Sequence, residues 1–395
     1  MNKLVVYCDD APFKEELLAA GLNRVNTRMF KAVNDNIESV CISHEGIYFT
    51  KDDIAIEFID KSVFMNLNSV LVKILKKTTL FFENYFHLYI DFLFYLFLPK
   101  VLHTIKKSDC SYIFIPVGAN IRALKRAVKI SEKSSLPLAV FIGDEFKNYA
   151  RLSGNKESII MCDKYLQQWL SKISKIFVIS EGMQNYFLEE YNLKSTVLNI
   201  PYEKKYSINS DKRKDFILFL GNTSHFYQDG LVDMIEVLFD YNQKYNKNIV
   251  LRFTIDKIPD IFEEKYLQYI EYGKIDTDYN SSKILNEALF CFIPTSFDKK
   301  YKIMVGTSFP SKMMECLAFA KHIVVYGPQY SSSVRYFKKY NLDTVVSQRN
   351  KEELFKILTK KDLNYSNQSK VYNYILNQNH SLKNIKDTIM KEINK

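Results

Sequence analysis

The sequence predicts an α/β protein built from two doubly wound parallel sheets. The chain has 395 residues, which is more than one ordinary hydrophobic core takes up. Short β-branched or aromatic runs alternate with helical stretches, a pattern typical of parallel strands joined by crossover helices. One polar segment without periodicity, residues 201–214, divides this alternation into two halves.

Each half contains its own set of predicted strands and helices. The predicted strands of the first half are Leu4–Cys8, Ser39–Ile42, Tyr112–Val117, Leu138–Ile142, Lys175–Ile179 and Thr196–Ile200, with helices such as Asn120–Lys133 and Asp163–Ile173 between them. The predicted strands of the second half are Phe216–Leu220, Ile249–Thr254, Leu289–Ile293, Ile323–Tyr326 and Thr344–Val346, with helices Leu231–Asn242, Ser281–Ala288, Ser311–Ala320 and Glu352–Thr359. We therefore expect Rossmann-like domains at 1–203 and 204–370 with a cleft between them, and a C-terminal helix at 371–395 that packs back on the first domain.

Composition narrows the classes of partner. The 55 Lys and Arg residues exceed the 45 Asp and Glu residues, giving a net charge of +10, which suits phosphorylated ligands, nucleic acid or an anionic membrane. The densest basic stretches, at 204–205 and 212–214, lack interleaved aromatic residues and fit a solvated linker, so we expect no nucleic-acid partner. The six cysteines form no C-x-x-C pair, which indicates reduced thiols and a cytoplasmic location. The first residues read as a strand that acidic residues follow at once, and not as a signal peptide.

Residues 79–99 are rich in aromatic side chains, which raises the question of whether this segment spans or contacts a membrane. Glu83, Asn84, His87 and Asp91 interrupt the apolar run, so it is not a spanning segment. Three of these positions share one helix face, which predicts an amphipathic helix. Such a helix could pack inside the first domain, lie on an anionic membrane surface, or form part of an acceptor-binding face.

A predicted loop and helix in the second half carry the most informative polar residues. The loop contains Gly306, Thr307, Ser308 and Pro310, and the helix is predicted to begin near Ser311. Backbone N–H groups at a helix start are unpaired within the helix and, together with the helix dipole, favour anions. This segment therefore predicts an anion site.

Two charged residues in this helix support the same interpretation. Lys312 lies in the first turn, where the dipole disfavours a cation, which suggests an anionic partner. Glu315 lies on the same face, and its carboxylate could accept two hydrogen bonds from a ribose diol. An ordinary capping box, or a surface pair of Lys312 with Glu315, would explain the same spacing.

The surrounding run resembles a known signature. Pro310-Ser311-Lys312-x-x-Glu315-x-Leu317-Ala318-x-Ala320-Lys321-x-Ile323-Val324 is similar to the donor-site motif of glycosyltransferase family 4 and its GT-B relatives. The resemblance implies a GT-B fold and a nucleoside diphosphate sugar as donor. It also implies that Glu315 binds the ribose, and that Lys312 and the preceding loop hold the diphosphate.

Other segments resemble the family in the same order along the chain. Val178–Tyr186 is similar to a helix start, and Phe219–Asn222 is similar to the strand and glycine turn that open the second domain, which implies donor contacts by Gly221, Asn222 and Thr223. Phe141–Glu145 resembles an acidic pair after a first-domain strand. That likeness implies Asp144 as a catalytic or acceptor-orienting carboxylate, with a helix cap as the alternative.

A glycine near the start of the chain resembles the turn beside the reacting sugar in the family. Gly21 is followed by Arg24, which implies that these two residues lie on the acceptor or sugar side. An ordinary loop or a helix interior is the alternative at these positions.

The sequence also departs from the family pattern. Thr307 stands where the family often has a second glutamate, and a basic pair expected after the second domain's first strand is absent. Neutral contacts from Asn222 and Thr223, with His225, would replace it. Asp276-Thr277-Asp278 matches the D-x-D motif of metal-dependent glycosyltransferases, but the preceding Glu271–Lys274 does not read as a buried strand, so we interpret this motif as a loop. No zinc-protease, P-loop, dinucleotide-binding or nucleophile-elbow motif is present, and we expect no metal site.

The implied activity is sugar transfer from a UDP- or GDP-sugar to a hydroxyl of a glycan or glycolipid, by a hexosyltransferase-type enzyme with no required cofactor. The resemblance favours retention of anomeric configuration and a role in bacterial surface polysaccharide or lipopolysaccharide synthesis. It favours a cytoplasmic protein with peripheral contact to the anionic inner face of the membrane. A nucleotide-sugar 2-epimerase of similar fold is one alternative. A non-catalytic nucleotide-sugar-binding scaffold is the other, and Thr307 and the missing basic pair favour it.

Overall fold

The computed structural model describes residues 3–8, 21–42, 47–50, 92–204, 214–221, 223–275, 278–320, 322–342, 344–360 and 365–395. By residue contacts the chain divides into two units. Unit 1 contains Met1–Ile179, Gln184–Pro201 and Leu382–Lys395, and unit 2 contains Ser180–Met183 and Tyr202–Ser381. The domain limits derived from the sequence stay predictions.

Unit 1 is built on a seven-stranded sheet in the order β3-β2-β1-β4-β5-β6-β7. Its elements are β1 (Leu4–Cys8), α1 (Gly21–Val33), β2 (Ile37–Ile42), β3 (Ile47–Thr50), α2 (Phe92–Lys107), β4 (Tyr112–Val117), α3 (Ile121–Ser134), β5 (Leu138–Ile142), α4 (Phe146–Leu152), α5 (Lys156–Leu170), β6 (Lys175–Val178), α6 (Glu181–Tyr191), β7 (Thr196–Val197) and the C-terminal α14 (Leu382–Ile393). The first three residues of α6 belong to unit 2. All pairings are parallel except that of β2 with β3. Every residue of β5 is buried, as expected of a parallel strand covered on both faces.

Unit 2 is built on a six-stranded, wholly parallel sheet in the order β10-β9-β8-β11-β12-β13. Its elements are β8 (Phe216–Phe219), α7 (His225–Tyr245), β9 (Val250–Phe253), β10 (Ile270–Tyr272), α8 (Asp278–Glu287), β11 (Phe290–Pro294), α9 (Lys302–Thr307), α10 (Met313–Phe319), β12 (Ile323–Tyr326), α11 (Ser332–Lys338), β13 (Val345–Val346), α12 (Lys351–Thr359) and α13 (Tyr365–Ile375), which a π-helical turn (Leu376–His380) follows. The core of this unit packs α7 and α12 against the sheet, with Leu231, Leu238 and Leu354 buried.

Helix ends follow local sequence rules. Asn120 begins α3 by accepting hydrogen bonds from the backbone N–H groups of Arg122 and Ala123, at 3.1 and 3.2 Å, as an N-cap asparagine does. The helix ends at Ser135, which adopts a left-handed φ of 59°. The predicted bounds of this helix are therefore nearly those observed, because both ends carry a local signal.

Two edge strands were missed by the sequence prediction. β3 is antiparallel to β2, and β10 pairs with β9 but exposes two of its three residues. An exposed edge strand lacks the long apolar run that marks a buried parallel strand. Glu271–Lys274 was not expected to form a buried strand, and its first two residues are the exposed part of β10. The D-x-D motif was interpreted as a loop, but Asp278 is the first residue of α8; Asp276 and Thr277 lie outside the described residues.

Several sequence predictions fall on parts of the chain that the structure does not describe. These include residues 79–91 of the aromatic segment 79–99, the basic residues at 205–213, Asn222, and the side chain of Arg24. Within the described ranges, no helix combines the length and the apolar character needed to cross a bilayer.

Candidate functional site

The strand order of unit 2 defines a switch point between β8 and β11. β8 lies between β9 and β11. The chain adds β9 and β10 on one side of β8 and then β11, β12 and β13 on the other side, so the direction in which strands are added reverses between β8 and β11. In open α/β sheets, ligands bind at the carboxyl ends of the strands beside such a point. Gly221 follows β8, and Thr295 and Ser296 follow β11. These residues therefore mark the sheet edge at which a ligand is expected.

The turn after β8 leads into the longest helix of the unit, α7, which has 21 residues. Gly221 adopts a φ of +126°, and nothing lies within 4 Å of the position that a Cβ would take. A side chain at this φ would be strained, so glycine is required by the backbone and not by crowding. The side-chain amide of Gln228 donates a 3.1 Å hydrogen bond to the carbonyl of Thr223. This turn brings the N-terminus of α7 to the switch point, where its backbone N–H groups favour an anion.

A carboxylate on α7 ties this helix to the loop after β11. One oxygen of Asp229, Oδ2, accepts hydrogen bonds from the backbone N–H of Phe297 at 2.7 Å and from the hydroxyl of Ser296 at 3.1 Å. The backbone N–H of Ser296 in turn donates to the carbonyl of Phe226 at 2.8 Å. The other oxygen, Oδ1, is buried and has no hydrogen-bond partner among the described residues. These bonds join the two segments that flank the switch point.

Sequence reasoning did not select Asp229 or Ser296. The position of Thr295 and Ser296 directly after an apolar strand was a usable signal, because polar residues at the carboxyl end of a parallel strand face the ligand edge. Asp229 carried no comparable signal, since its partner Phe297 is 68 residues away in the chain.

The segment between β11 and β12 differs from its prediction in two respects. Gly306 and Thr307 were expected in a loop, but they form the last turn of α9. The signature helix was expected to begin near Ser311, but α10 begins at Met313, and Lys312 occupies the N-cap position. Ser308 and Pro310 explain the interruption, because proline excludes a continuous helix through this point.

The last carbonyl groups of α9 accept hydrogen bonds from side chains that lie outside this helix. The carbonyl of Gly306 accepts hydrogen bonds from the Ser332 hydroxyl at 2.5 Å and from Nη2 of Arg335 at 2.7 Å. The carbonyl of Thr307 accepts one from the Ser180 hydroxyl at 2.5 Å. The side chain of Thr307 is itself buried and donates to the carbonyl of Ile303. A donor-binding role for Gly306, Thr307 and Ser308 stays a prediction.

One face of α10 packs into the core and the other carries the polar pair of the signature. Met313, Met314 and Cys316 are buried, whereas Lys312 and Glu315 are half-buried. The two charged residues are three positions apart and therefore share a side of the helix. The structure thus leaves both side chains off the apolar face, as a binding role requires.

In unit 1, the acidic pair after β5 separates into two different environments. Glu145 is fully buried and caps α4, accepting hydrogen bonds from the backbone N–H groups of Lys147 at 3.0 Å and Asn148 at 2.6 Å. The Tyr191 hydroxyl donates to the same carboxylate at 3.3 Å. Burial raises the pKa of Glu145, and the two backbone hydrogen bonds oppose that rise without cancelling it.

Asp144 is the residue of this pair that remains beside the carboxyl end of the strand. It is half-buried and follows Gly143, whose backbone N–H donates to the carbonyl of Val117 at the end of β4. The helix-capping alternative for Asp144 is wrong, because Glu145 fills that role.

The first turn of α1 contains the two residues predicted for the acceptor or sugar side. Gly21 is the first residue of this helix and Arg24 belongs to its first turn. Gly21 therefore stands at a helix start and not in an isolated glycine turn.

Comparison with known proteins identifies the fold. No protein-family model matches the sequence, and no curated protein matches it. Among solved structures, HepE of Anabaena in complex with UDP has a TM-score of 0.58 and 12% identity, and the match covers 99% of each chain. The trehalose-6-phosphate synthase OtsA also has a TM-score of 0.58 and 12% identity, covering 100% of this chain and 99% of that one. An α-glucosyltransferase in complex with UDP-glucose and DNA has a TM-score of 0.54 and 13% identity, with the same coverage. The fold of the chain is therefore GT-B, as the sequence predicted; identities this low establish the fold alone.

Proposed function

We propose that the chain is a glycosyltransferase that moves a sugar from a nucleoside diphosphate sugar to a hydroxyl acceptor. The observation that carries this proposal is the position of the signature. The run from Pro310 to Val324 begins in the crossover that follows β11 and ends in the first residues of β12, and this crossover leaves the sheet beside the switch point. In open α/β sheets, ligands bind at the carboxyl ends of the strands beside such a point. The whole chain matches GT-B structures, one of them solved with UDP and another with UDP-glucose.

In this proposal, unit 2 holds the donor. The backbone N–H groups of Gly221 and Thr223, in the turn before α7, bind the diphosphate together with the ammonium group of Lys312. The carboxylate of Glu315 accepts hydrogen bonds from the ribose hydroxyls. Negative charge develops on the departing diphosphate, and fixed donors that face this charge stabilise the transition state. The turn at Gly221 and the half-buried Lys312 supply such donors.

Unit 1 supplies the acceptor side. We propose that Asp144 accepts a hydrogen bond from the acceptor hydroxyl and orients it beside the departing diphosphate, which takes up the hydroxyl proton. The bond between the anomeric carbon and the diphosphate oxygen breaks, and the bond from that carbon to the acceptor oxygen forms. Asp144 suits this role because Glu145 has already satisfied the neighbouring helix start.

The finer features of the proposal rest on the sequence resemblance. They are a UDP- or GDP-sugar donor, retention of the anomeric configuration, and an acceptor belonging to a bacterial surface polysaccharide or lipopolysaccharide. The net charge of +10 supports a protein that works beside the anionic inner face of a membrane. Sedimentation with anionic and with neutral vesicles tests this last feature, since only the anionic vesicles should carry the protein down at low salt.

Product analysis tests the proposed reaction. The purified chain is incubated with UDP- and GDP-sugars, with and without glycan acceptors, and the products are identified by mass spectrometry. Release of UDP or GDP together with a glycosylated acceptor is the expected result. Isomerised sugar nucleotide in reactions without acceptor would indicate an epimerase. Binding of a sugar nucleotide without any turnover would indicate a scaffold.

A further inference from the structure

The C-terminal end of α9 is held by three donor side chains that come from distant parts of the chain. Ser180, Ser332 and Arg335 donate to the carbonyls of Gly306 and Thr307; we call these three side chains the α9 clamp. All of them belong to unit 2. The last carbonyls of a helix have no partner within it, so the clamp supplies the bonds that the interrupted helix lacks.

Arg335 is the charged member of the clamp. A cation near the C-terminus of a helix is favoured by the helix dipole. Burial lowers the pKa of Arg335, and the nearby carboxylate of Glu181 opposes that shift. The guanidinium contacts Gly306 through Nη2, whereas its Nε is buried without a hydrogen-bond partner among the described residues. A single N–H therefore makes the contact, and a lysine ammonium could reproduce it.

Gly182 shows how closely the clamp is packed. A Cβ at this position would lie 1.8 Å from the carbonyl oxygen of Gly306, 2.1 Å from Nη2 of Arg335 and 2.8 Å from the hydroxyl of Ser332. Backbone atoms cannot yield at such distances, so any side chain at 182 would push the clamp apart. The absence of a side chain is therefore a requirement of the arrangement.

The clamp stands directly before the signature. Only residues 308–312 separate the end of α9 from α10. Phe309, within this connection, packs edge-to-face on Tyr336, the neighbour of Arg335 in α11, with ring centroids 5.0 Å apart. The two contacts with α11, at Gly306 and Phe309, thus fall six and three residues before Lys312. A displacement of the clamp would therefore be transmitted to the predicted donor-binding pair.

We infer that Arg335 is a positioning residue for donor binding: it fixes the end of α9 and thereby the path of residues 308–312, which carry Ser311 and Lys312 into the donor site. This inference rests on the proposed function for its consequence, but the clamp itself can be tested without a ligand. Arg335 touches no substrate in this account and acts through the backbone of Gly306.

The test combines hydrogen exchange with nucleotide binding. Amide exchange of residues 306–313 is measured in the ligand-free wild type, R335Q, R335K and S332A, and binding of UDP and GDP is measured by calorimetry on the same proteins. K338Q is the matched control, because Lys338 is an exposed cation in the same helix that bonds to Ser347. Exchange in R335Q should be about tenfold faster, which corresponds to 1.4 kcal/mol, and the nucleotide Kd should rise by a similar factor. R335K should recover most of both losses, S332A should change both in the same direction, and K338Q should match wild type.

Each outcome decides the inference. Unchanged exchange in R335Q and S332A would overturn the clamp. Faster exchange with unchanged nucleotide affinity would overturn its role in donor positioning. If wild type binds neither UDP nor GDP, the proposed function fails, whereas the exchange data still decide whether Arg335 holds α9. If R335Q does not fold, S332A and R335K carry the same comparison.

Discussion

The carboxylate of Asp229 in α7 accepts a 2.7 Å hydrogen bond from the backbone N–H of Phe297, in the loop after β11. This contact joins the helix that follows β8 to the segment that follows β11, and these are the two sides of the switch point. The position of the first helix of unit 2 is therefore coupled to the segment that leads into the signature.

Removing this carboxylate should destabilise the protein. In Asp229→Ala the backbone N–H of Phe297 and the hydroxyl of Ser296 lose their acceptor, and an unsatisfied buried donor costs about 1–3 kcal/mol. Urea unfolding should show that loss. Asp240→Ala, which removes an exposed carboxylate from the same helix, should stay within about 0.5 kcal/mol of wild type. Equal stabilities of the two variants would contradict a structural role for Asp229.

Gly221 and Gly154 make a matched pair for testing the turn after β8. Both have a positive φ, of +126° and +68°, and a Cβ at either position would meet no atom within 4 Å. Alanine should therefore cost about 1–3 kcal/mol at each site through backbone strain alone. Thermal shifts with UDP and GDP should differ, since Gly221→Ala should weaken the nucleotide response and Gly154→Ala should leave it intact. A full nucleotide response in Gly221→Ala would remove this turn from the donor site.

Glu145 should make stability depend on pH. Its pKa is raised above the ordinary value of 4.5, so the folded state holds the proton to a higher pH than the unfolded state does. Between 4.5 and the folded pKa, the free energy of unfolding should fall as the pH rises, and the loss should be complete above the folded pKa. The measurement is chemical unfolding across this range for wild type and Glu145→Gln. The free energy of unfolding of wild type minus that of Glu145→Gln should decrease with rising pH and then level off. An increase of this difference with pH would contradict a raised pKa of Glu145.

Substitution of Asp144 should mainly lower turnover, whereas substitution of Glu145 should mainly lower thermal stability. Asp144→Asn should lower turnover by about 10²-fold, because the acceptor hydroxyl loses the carboxylate that orients it, and its thermal midpoint should fall less than that of Glu145→Gln. Glu145→Gln should mainly lower the thermal midpoint, because it weakens the cap of α4. Turnover and midpoint are measured on both variants with the donor that the product analysis identifies. An active Asp144→Asn would rule out the proposed catalytic role.

Much of the fold was predictable because the signals for it are local. Buried parallel strands such as Leu138–Ile142 and Ile323–Tyr326 are continuous apolar runs, and the structure has both with the predicted bounds. The helix that Asn120 caps was equally clear. The edge strand Ile47–Thr50 was missed although all four of its residues favour strands, because so short a run is distinguished from a loop mainly by its pairing with β2.

The candidate site was predictable only where the chemistry is contiguous in sequence. Lys312 and Glu315 were selected from their spacing and are half-buried in the structure; their role in donor binding stays a prediction. The contact of Ser180 with Thr307 joins residues 127 positions apart, and no local sequence pattern predicts it. The same holds for the acidic pair, since only the structure shows that Glu145, and not Asp144, caps the helix.

The most direct test of the central claim is thermal stabilisation by UDP, GDP, ADP, CMP and their sugars, measured on wild type and Glu315→Ala. A nucleotide present at about 100 times its Kd should add roughly 2.7 kcal/mol of stability. Glu352→Ala, an exposed glutamate of α12, serves as the control. We predict selective stabilisation of wild type and Glu352→Ala by one nucleoside diphosphate or its sugar, and loss of that stabilisation in Glu315→Ala. Stabilisation by none of these ligands, or equal stabilisation of Glu315→Ala, would contradict the donor site proposed for unit 2.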